Sequence, residues 1–372
     1  RQRQMCIRDR LDVYYVEMPM AYTWKTAYGE DSVSHSVLVK ATSEDQSGWS
    51  EACPFFAPTY LNESAGGAYY HITEVFGPHV VGRDFDTAID LNDRLNVFKG
   101  NSFAKAGIEV AWWTLRSSME NKPLHKLLGG KTREVDSGAA IGIEDSFDVL
   151  LGKVQEAVDA GFPRVKLKAA PGWDVDMLRA VRSAFPDIDL HIDCNAGYTL
   201  ADLDTFKAID DFNLVFIEQP LGWDDIVDHA ELARHIQTPI CLDESVTSPR
   251  VAEQAVRIGA CEYINIKVWR SGGLANAVAI HDIAQDAGIP VWLGGMSESG
   301  IGKAIGIELA TLPNFTYPND LGSVAKMFNT NLTRDVPTIK SNLTYDPRLG
   351  TLPEPDPDRL AEMTRASMTI SS

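Results

Sequence analysis

Short β-rich apolar runs recur along the chain from about residue 134: EVDSGAAIGI, RVKLKA, LHIDCN, LVFIEQP, PICLDES, YINIKVW, PVWLGGM and FTYPNDL. Stretches with helical apolar spacing, such as SFDVLLGKVQEAVDAG and VAEQAVRIGA, separate them. Strand and helix in alternation predict a parallel sheet. Seven or eight such units over roughly 190 residues fit a (β/α) barrel better than an open, doubly wound sheet. The open sheet's usual nucleotide marker, GxGxxG after the first strand, is absent. Gly294-Gly295 and Gly300-Ile301-Gly302 lie late in the chain and read as turn or close-approach glycines.

The first part has another rhythm. Strand patterns LDVYYVEMPM and SHSVLVKAT flank the polar, aromatic MAYTWKTAYGEDS, which is expected to be a loop. A turn-rich segment comes next at 48–64, and NSFAKAGIEVAWWTLRSSME (101–120) is the clearest helix, stopping before Lys122-Pro123. Strands followed by helices predict an α+β unit. The expected division is a leader at 1–10, an α+β domain at 11–125, a barrel at 126–321, and a Pro-, Asn- and Asp-rich segment at 322–372 that packs back on the first domain. The final SMTISS is expected to fray.

Composition narrows the picture. A length of 372 residues exceeds one ordinary core, so two domains, or a barrel with an appendage, are expected. The formal charge of −18, with no Lys/Arg-rich run, argues against a nucleic-acid partner; the acidity reads as a solvated surface. Cys6, Cys53, Cys194, Cys241 and Cys261 are scattered, odd in number and without CxxC spacing, which fits a reducing cytoplasm rather than a disulfide frame or zinc site. No apolar run approaches the ~18 residues of a membrane span, and no signal-peptide pattern is present. RQRQMCIRDR reads as a foreign leader.

Three strands finish on acids, which are costly to bury unpaired. Asp193, Glu218 and Asp243 stand 25 residues apart, so each βα unit returns a carboxylate to the same height. In a barrel, C-terminal strand ends converge on one mouth. Alternation turns Ile192, Ile217 and Leu242 toward the helices and the three acids inward. Converging carboxylates take up protons or hold a cation. Oxygen-only ligands favour a hard ion, Mg²⁺ before Mn²⁺ or Ca²⁺. Three separate helix N-caps or surface ion pairs are the plainer alternative.

Lysines flank the acids. Lys166 and Lys168 share one face a strand before Asp193, and Lys267 lies a strand after Asp243. They either neutralise the acids or do chemistry, with Lys168 and Lys267 approaching from opposite sides. A like charge at Lys166 and a nearby dication would lower the pKa of Lys168 toward a usable base. This set suits removal of a proton from carbon next to a carboxylate, where a cation stabilises the resulting enediolate.

The segments KLKAAPGWDVD, AFPDIDLHIDCNAGYTLADLD, FIEQPLGWDDIVDHAELARHIQTPICLDES, INIKVWRSGG and GGMSESGIGKA resemble the enolase superfamily, muconate-lactonizing subgroup. Within it they are most similar to the o-succinylbenzoate synthase / N-succinylamino acid racemase family. The resemblance runs from about residue 11 to 321. It implies a (β/α)7β modified TIM barrel with an α+β capping domain. It also implies Mg²⁺ (or Mn²⁺) on Asp193, Glu218 and Asp243, with Lys168 and Lys267 as the acid/base pair and Lys166 as first lysine of a KxK motif. Asn195 and Glu244 would support the ligands. Ser137, Asn195, Arg270 and the Gly294-Gly295-Met296 turn would meet the substrate, and capping loops at 20–32 and 53–64 would exclude water with Tyr22, Trp24, Tyr28, Phe55, Phe56 and Tyr60. Departures are Ala170 in place of a third lysine, Ala196 after Asn195, and Trp269, which would reshape one wall. Arg270 matches an arginine that the family associates with racemisation; a plain ion pair is its alternative.

The implied reaction is dehydration to o-succinylbenzoate, a menaquinone precursor, or racemisation of N-succinylamino acids. Dipeptide epimerisation ranks lower, because FTYPNDL holds Asp320 but no DxD; muconate cycloisomerisation is a further alternative. A metal-free Schiff-base aldolase and a silent binding protein are the readings from other classes. The expected partner is a small-molecule carboxylate, with no nucleic acid and no membrane, and a homo-oligomer is the default.

Overall fold

The computed structural model describes residues 6–7, 9–348 and 350–372. Its first layer is a four-stranded antiparallel sheet of β1 (Arg10–Thr26), β2 (Gly29–Ser43), β3 (Gln46–Ala52) and the C-terminal strand Thr364–Ser371, which lies outside β1. Two expectations fail here. MAYTWKTAYGEDS is not a loop: β1 continues to Thr26 and turns at Ala27–Tyr28 into β2. Its ladder shifts register between Pro19 and Trp24, starting at a residue with no N–H to contribute. SMTISS is not frayed, because Ser367 to Ser371 pair with Tyr14 to Arg10. Within the stretch read as a leader, Cys6–Ile7 pairs antiparallel with Arg83–Asp84, and Arg10 opens β1.

Helix α1 (Ser102–Glu120) crosses this sheet and buries Phe103, Ile108, Trp112 and Leu115. The approach is close enough that a Cβ on Gly48 would lie 2.0 Å from Leu115 N. The helix ends at Asn121 in the left-handed conformation (φ 46°), ahead of Pro123.

The second layer is the barrel. Strands β4 (Ala139–Ile141), β5 (Val165–Lys168), β6 (Leu190–Asp193), β7 (Ile217–Glu218), β8 (Ile240–Leu242), β9 (Tyr263–Ile266) and β10 (Val291–Leu293) form a parallel sheet in chain order. FTYPNDL closes the ring through parallel bridges Val291↔Phe315 and Ser137↔Asn319 and the bond from Asp320 N to Leu293 O (2.8 Å). Pro318 interrupts that last ladder for want of an N–H. The architecture is a modified TIM barrel with a capping domain.

Alternation sorts the strands as expected. Val165, Leu167, Ile192, Ile217 and Leu242 belong to the core shared with the helices. Phe216, Cys241 and Trp292 form a separate cluster inside the barrel, flanked by Tyr263 and Tyr317. His191 packs on Phe216 (4.3 Å between centroids) and Trp292 (5.5 Å). This aromatic plug floors the mouth. Equal sequence spacing is not equal height, however. Glu218 pairs with Asp193 on one side but with Cys241 on the other, so Asp243 lies two residues further along its strand. Such stagger is the shear that closes a barrel.

Buried glutamates hold the cap to the barrel. Glu51 on β3 accepts bonds from Ser299 N (3.0 Å), Ser299 Oγ (2.6 Å) and Gly302 N (3.0 Å) at the start of α2 (Gly300–Leu309), and from Ser36 Oγ (2.9 Å). Glu109 on α1 accepts from Leu274 N (2.7 Å) and Ala275 N (2.9 Å), opening helix Leu274–Asp286. Glu63 accepts from Phe103 N (3.1 Å) and so tethers the 53–64 segment to the start of α1. Unpaired amides at a helix N-terminus favour an anion. Burial pushes Glu109 and Glu63 up to about 7 against those bonds. Replacing Glu51 by Ala strands several buried donors and is expected to cost about 3 kcal/mol. Denaturant melts of wild type and variant measure it; a loss within experimental error would show that the capping contact is not structural.

Candidate active site

The three acids meet where alternation puts them. Ligand atoms of Asp193, Glu218 and Asp243 all lie within 4.8 Å of one another, and all three side chains are fully buried. Such a cluster survives only if countercharges face it. Lys166 Nζ stands 2.8 Å from both Asp193 Oδ2 and Glu218 Oε2. Lys168 Nζ donates to Asp193 Oδ2 (2.6 Å) and Asn195 Oδ1 (2.7 Å). Lys267 Nζ donates to Asp243 Oδ2 (2.9 Å) and Tyr60 OH (2.9 Å). Lys168 ends β5 and Lys267 directly succeeds β9, so the two amines bracket the strands that carry the acids.

Electrostatics set the lysines apart. Burial lowers the Lys168 pKa, and neighbouring Lys166 adds to this against the pull of Asp193. Burial also acts on Lys267 and Lys166, but it is overturned: Tyr60, Glu244 and Glu218 hold Lys267 above the ordinary lysine value, and Asp193, Glu218 and Asp320 do the same for Lys166. Asp193 and Glu218 stay well below the carboxylate range despite burial, chiefly because of Lys166. Burial, with Asp193 nearby, pushes Glu244 up to about 7.

A second ring of contacts orients these groups. Asn195 Nδ2 donates to Glu244 Oε1 (2.9 Å), and through Asn195 Oδ1 this links Lys168 to Glu244. Asn195 and Ala196 hold φ of 43° and 60°, and Gln219 holds 37°. Backbone of this kind is strained for residues with a Cβ, and it concentrates at functional sites. The Gln219 side chain accepts from Asp243 N (2.9 Å), and Asn265 Nδ2 donates to Glu218 Oε1 (2.6 Å). Neither was expected from sequence. Proximity to the inward-facing strand ends is the only signal they offer.

A cavity of ≈ 130 Å³ opens above the acids. Lys166, Lys168, Lys267, Asn195, Gly295 and Met296 line it, as do Tyr22, Trp24, Tyr28, Phe55 and Tyr60 from the cap. Phe56 is 65% exposed and does not line it. Three expectations need correction. Ser137 is buried away from the cavity, with its Oγ donating to Leu321 O (3.3 Å); Ala140 takes that wall. Trp269 is buried outside the cavity and reshapes no wall. Arg270 is also buried outside it and spends its donors on Asp243, Tyr60 OH (2.9 Å), Val246 O (3.0 Å) and Asn265 O. Arg270 therefore braces Asp243, which is the ion-pair alternative. Tyr60, expected only to exclude water, also donates to Asp243 Oδ1 (3.1 Å). Asp320 and Lys303, unexpected at the site, line it too.

The residues fit a hard divalent cation. Their donor atoms are carboxylate oxygens only, and they converge within 4.8 Å of one another.

Known proteins resemble this chain over most of its length. Residues 150–357 match the family described as Enolase C-terminal domain-like, and residues 10–129 match the Mandelate racemase / muconate lactonizing enzyme N-terminal domain. An N-succinylamino acid racemase of Thermus thermophilus is 39% identical over 335 residues, 90% of this chain and 91% of that one. An o-succinylbenzoate synthase of Geobacillus stearothermophilus is 40% identical over 307 residues, 82% of each. The crystal structure of an enolase superfamily member from Listeria innocua superposes with a TM-score of 0.92 at 32% identity, covering 98% of both chains. With its acid triad, flanking lysines and capped barrel, the chain belongs to the enolase superfamily and groups there with the o-succinylbenzoate synthases and N-succinylamino acid racemases.

Proposed function

We propose that the protein is a Mg²⁺-dependent o-succinylbenzoate synthase that also racemises N-succinylamino acids at the same site. The observation that carries the reading is the pair of amines, Lys168 and Lys267, bracketing one buried acid triad and lining one cavity. Relatives of similar identity bear both names, which supports a shared site.

In the synthase reaction the Lys168 amine takes the proton from the carbon next to the substrate carboxylate. Charge moves onto the carboxylate oxygens, the C=C bond forms as the neighbouring C–O bond breaks, and the departing hydroxyl takes that proton to leave as water. Lys267, as an ammonium, stabilises the enediolate. A dication held by Asp193, Glu218 and Asp243 would supply positive charge to the oxygens on which this charge collects. Lys166 stays charged and balances the acids rather than moving protons. Asn195 keeps Lys168 aimed, and the cap's aromatics exclude water.

The second reaction needs both amines in turn. One takes the α-proton from one face of an N-succinylamino acid while the other delivers a proton to the opposite face, and the opposite enantiomer exchanges their roles. A small-carboxylate enzyme of the cytoplasm fits the described residues, in which no helix is long and apolar enough to cross a membrane and Cys53, Cys194, Cys241 and Cys261 are free.

Lys168→Ala and Lys267→Ala are each expected to lower racemisation by at least ~10²-fold. Chiral assay of purified protein with Mg²⁺ checks this, and full turnover by a single-lysine variant would refute the two-base assignment. Dialysis against EDTA is expected to abolish both reactions, with recovery on adding Mg²⁺. Independently of activity, Mg²⁺ at a hundred times its Kd is expected to stabilise the fold by about 2.7 kcal/mol. Thermal melts would register this as a higher Tm, and Asp193→Asn should remove the shift. Activity surviving exhaustive chelation would sink the metal assignment.

A further inference from the structure

Proton transfer and charge balance at the acid triad leave one cavity cation without a task. Lys303, in the first turn of α2, is buried and lines the cavity beside Gly295, Ser297 and Asp320. The other cavity lysines are committed to the acid triad. Among the described residues, the one carboxylate within 4.0 Å of Lys303 Nζ is Glu298, at 3.3 Å, and that oxygen makes no well-formed hydrogen bond. Asp320 faces Lys166 instead, at 3.6 Å. Burial alone would discharge Lys303, but Glu298 and Asp320 outweigh it and keep the amine an ammonium.

Surroundings give this ammonium a direction. A Cβ on Gly295 would lie 3.4 Å from Lys303 Nζ and 2.6 Å from the Asp320 carbonyl oxygen, so glycine there keeps the approach to the amine open. Met20, Met296 and Met327 also line the cavity, and they suit a hydrocarbon linker better than a charge. The cavity thus offers one cation beyond the catalytic acids and apolar wall besides.

We propose that Lys303 is the specificity residue that pairs with the second carboxylate of the substrate, the one ending the succinyl tail. The assignment rests on the enediolate reading, because that reading supplies a substrate with two carboxylates. A buried ammonium with one loosely set partner keeps an unmet desolvation cost, which an incoming carboxylate offsets. A tail lacking that carboxylate leaves the amine under-paired, and sites built for a polar partner reject analogues that lack it.

The experiment compares the N-succinyl and N-acetyl forms of one amino acid with the Mg²⁺-loaded enzyme, following α-proton exchange in D₂O. Wild type is expected to prefer the N-succinyl form. Lys303→Met, which keeps the stem and loses the charge, should lower the ratio of the two kcat/KM values by about 100-fold. Lys303→Arg, which keeps the charge, should retain most of the ratio. If Lys303→Met does not fold, Lys303→Gln carries the same comparison. A parallel fall on both substrates, or a ratio that stays put, overturns the tail assignment while leaving the enediolate reading intact. Absence of exchange by wild type on both substrates overturns that reading, and the tail assignment falls with it.

Discussion

Three carboxylates brought within 4.8 Å of one another and removed from water form the constraint around which this molecule is arranged. Their mutual repulsion and lost hydration are tolerable only where positive charge is supplied at close range. The fold supplies it from two directions, Lys166 and Lys168 from the strand before and Lys267 and Arg270 from beyond the strand after, and the acids' own oxygens could hold a cation between them. The buried rings of His191, Phe216 and Trp292 pack together beneath the acids. Left-handed backbone at Asn195, Ala196 and Gln219 is the local strain the site carries.

The same balance of burial and compensation joins the two domains. Glu51 and Glu109 are fully buried acids from the cap, and helix N-termini of the barrel satisfy them. Because these contacts lock the sheet and α1 onto the barrel, the β1–β2 hairpin and the 53–64 segment reach the mouth in a defined position. Tyr60 then touches both Asp243 and Lys267, so the position of the cap and the placement of the Lys267 amine are parts of one hydrogen-bond network.

The proposed pairing of elimination and racemisation in one cavity follows from a shared first step, loss of a proton next to a carboxylate. The fate of the enediolate then depends on whether the neighbouring carbon bears a leaving group. For the proposed pair of reactions the protein therefore needs one charge-stabilising centre and two amines, and it leaves the rest of the cavity to grip the substrate's remaining atoms. Its cap-side lining is largely aromatic, joined by the methionines Met20, Met296 and Met327, a surface that can adapt to substrates of different shape.

Much of this was legible in the residues themselves. Period-two alternation and the repeat of acid-ended strands specify a barrel and turn Asp193, Glu218, Asp243, Lys166, Lys168 and Lys267 inward, because side-chain direction along a strand is a local property. Other features were not legible, since they arise between segments distant in the chain. The two-residue stagger of Asp243 comes from barrel shear. The order of SMTISS comes from pairing with β1, at the opposite end of the sequence. Bracing of Asp243 by Arg270 and Tyr60, withdrawal of Ser137 and Trp269 from the cavity, and arrival of Lys303 and Asp320 in it all depend on how helices and cap pack. Local chemistry along the strands determined which groups could do the work; only tertiary packing, which sets distance and access to water, decided which of them line the cavity.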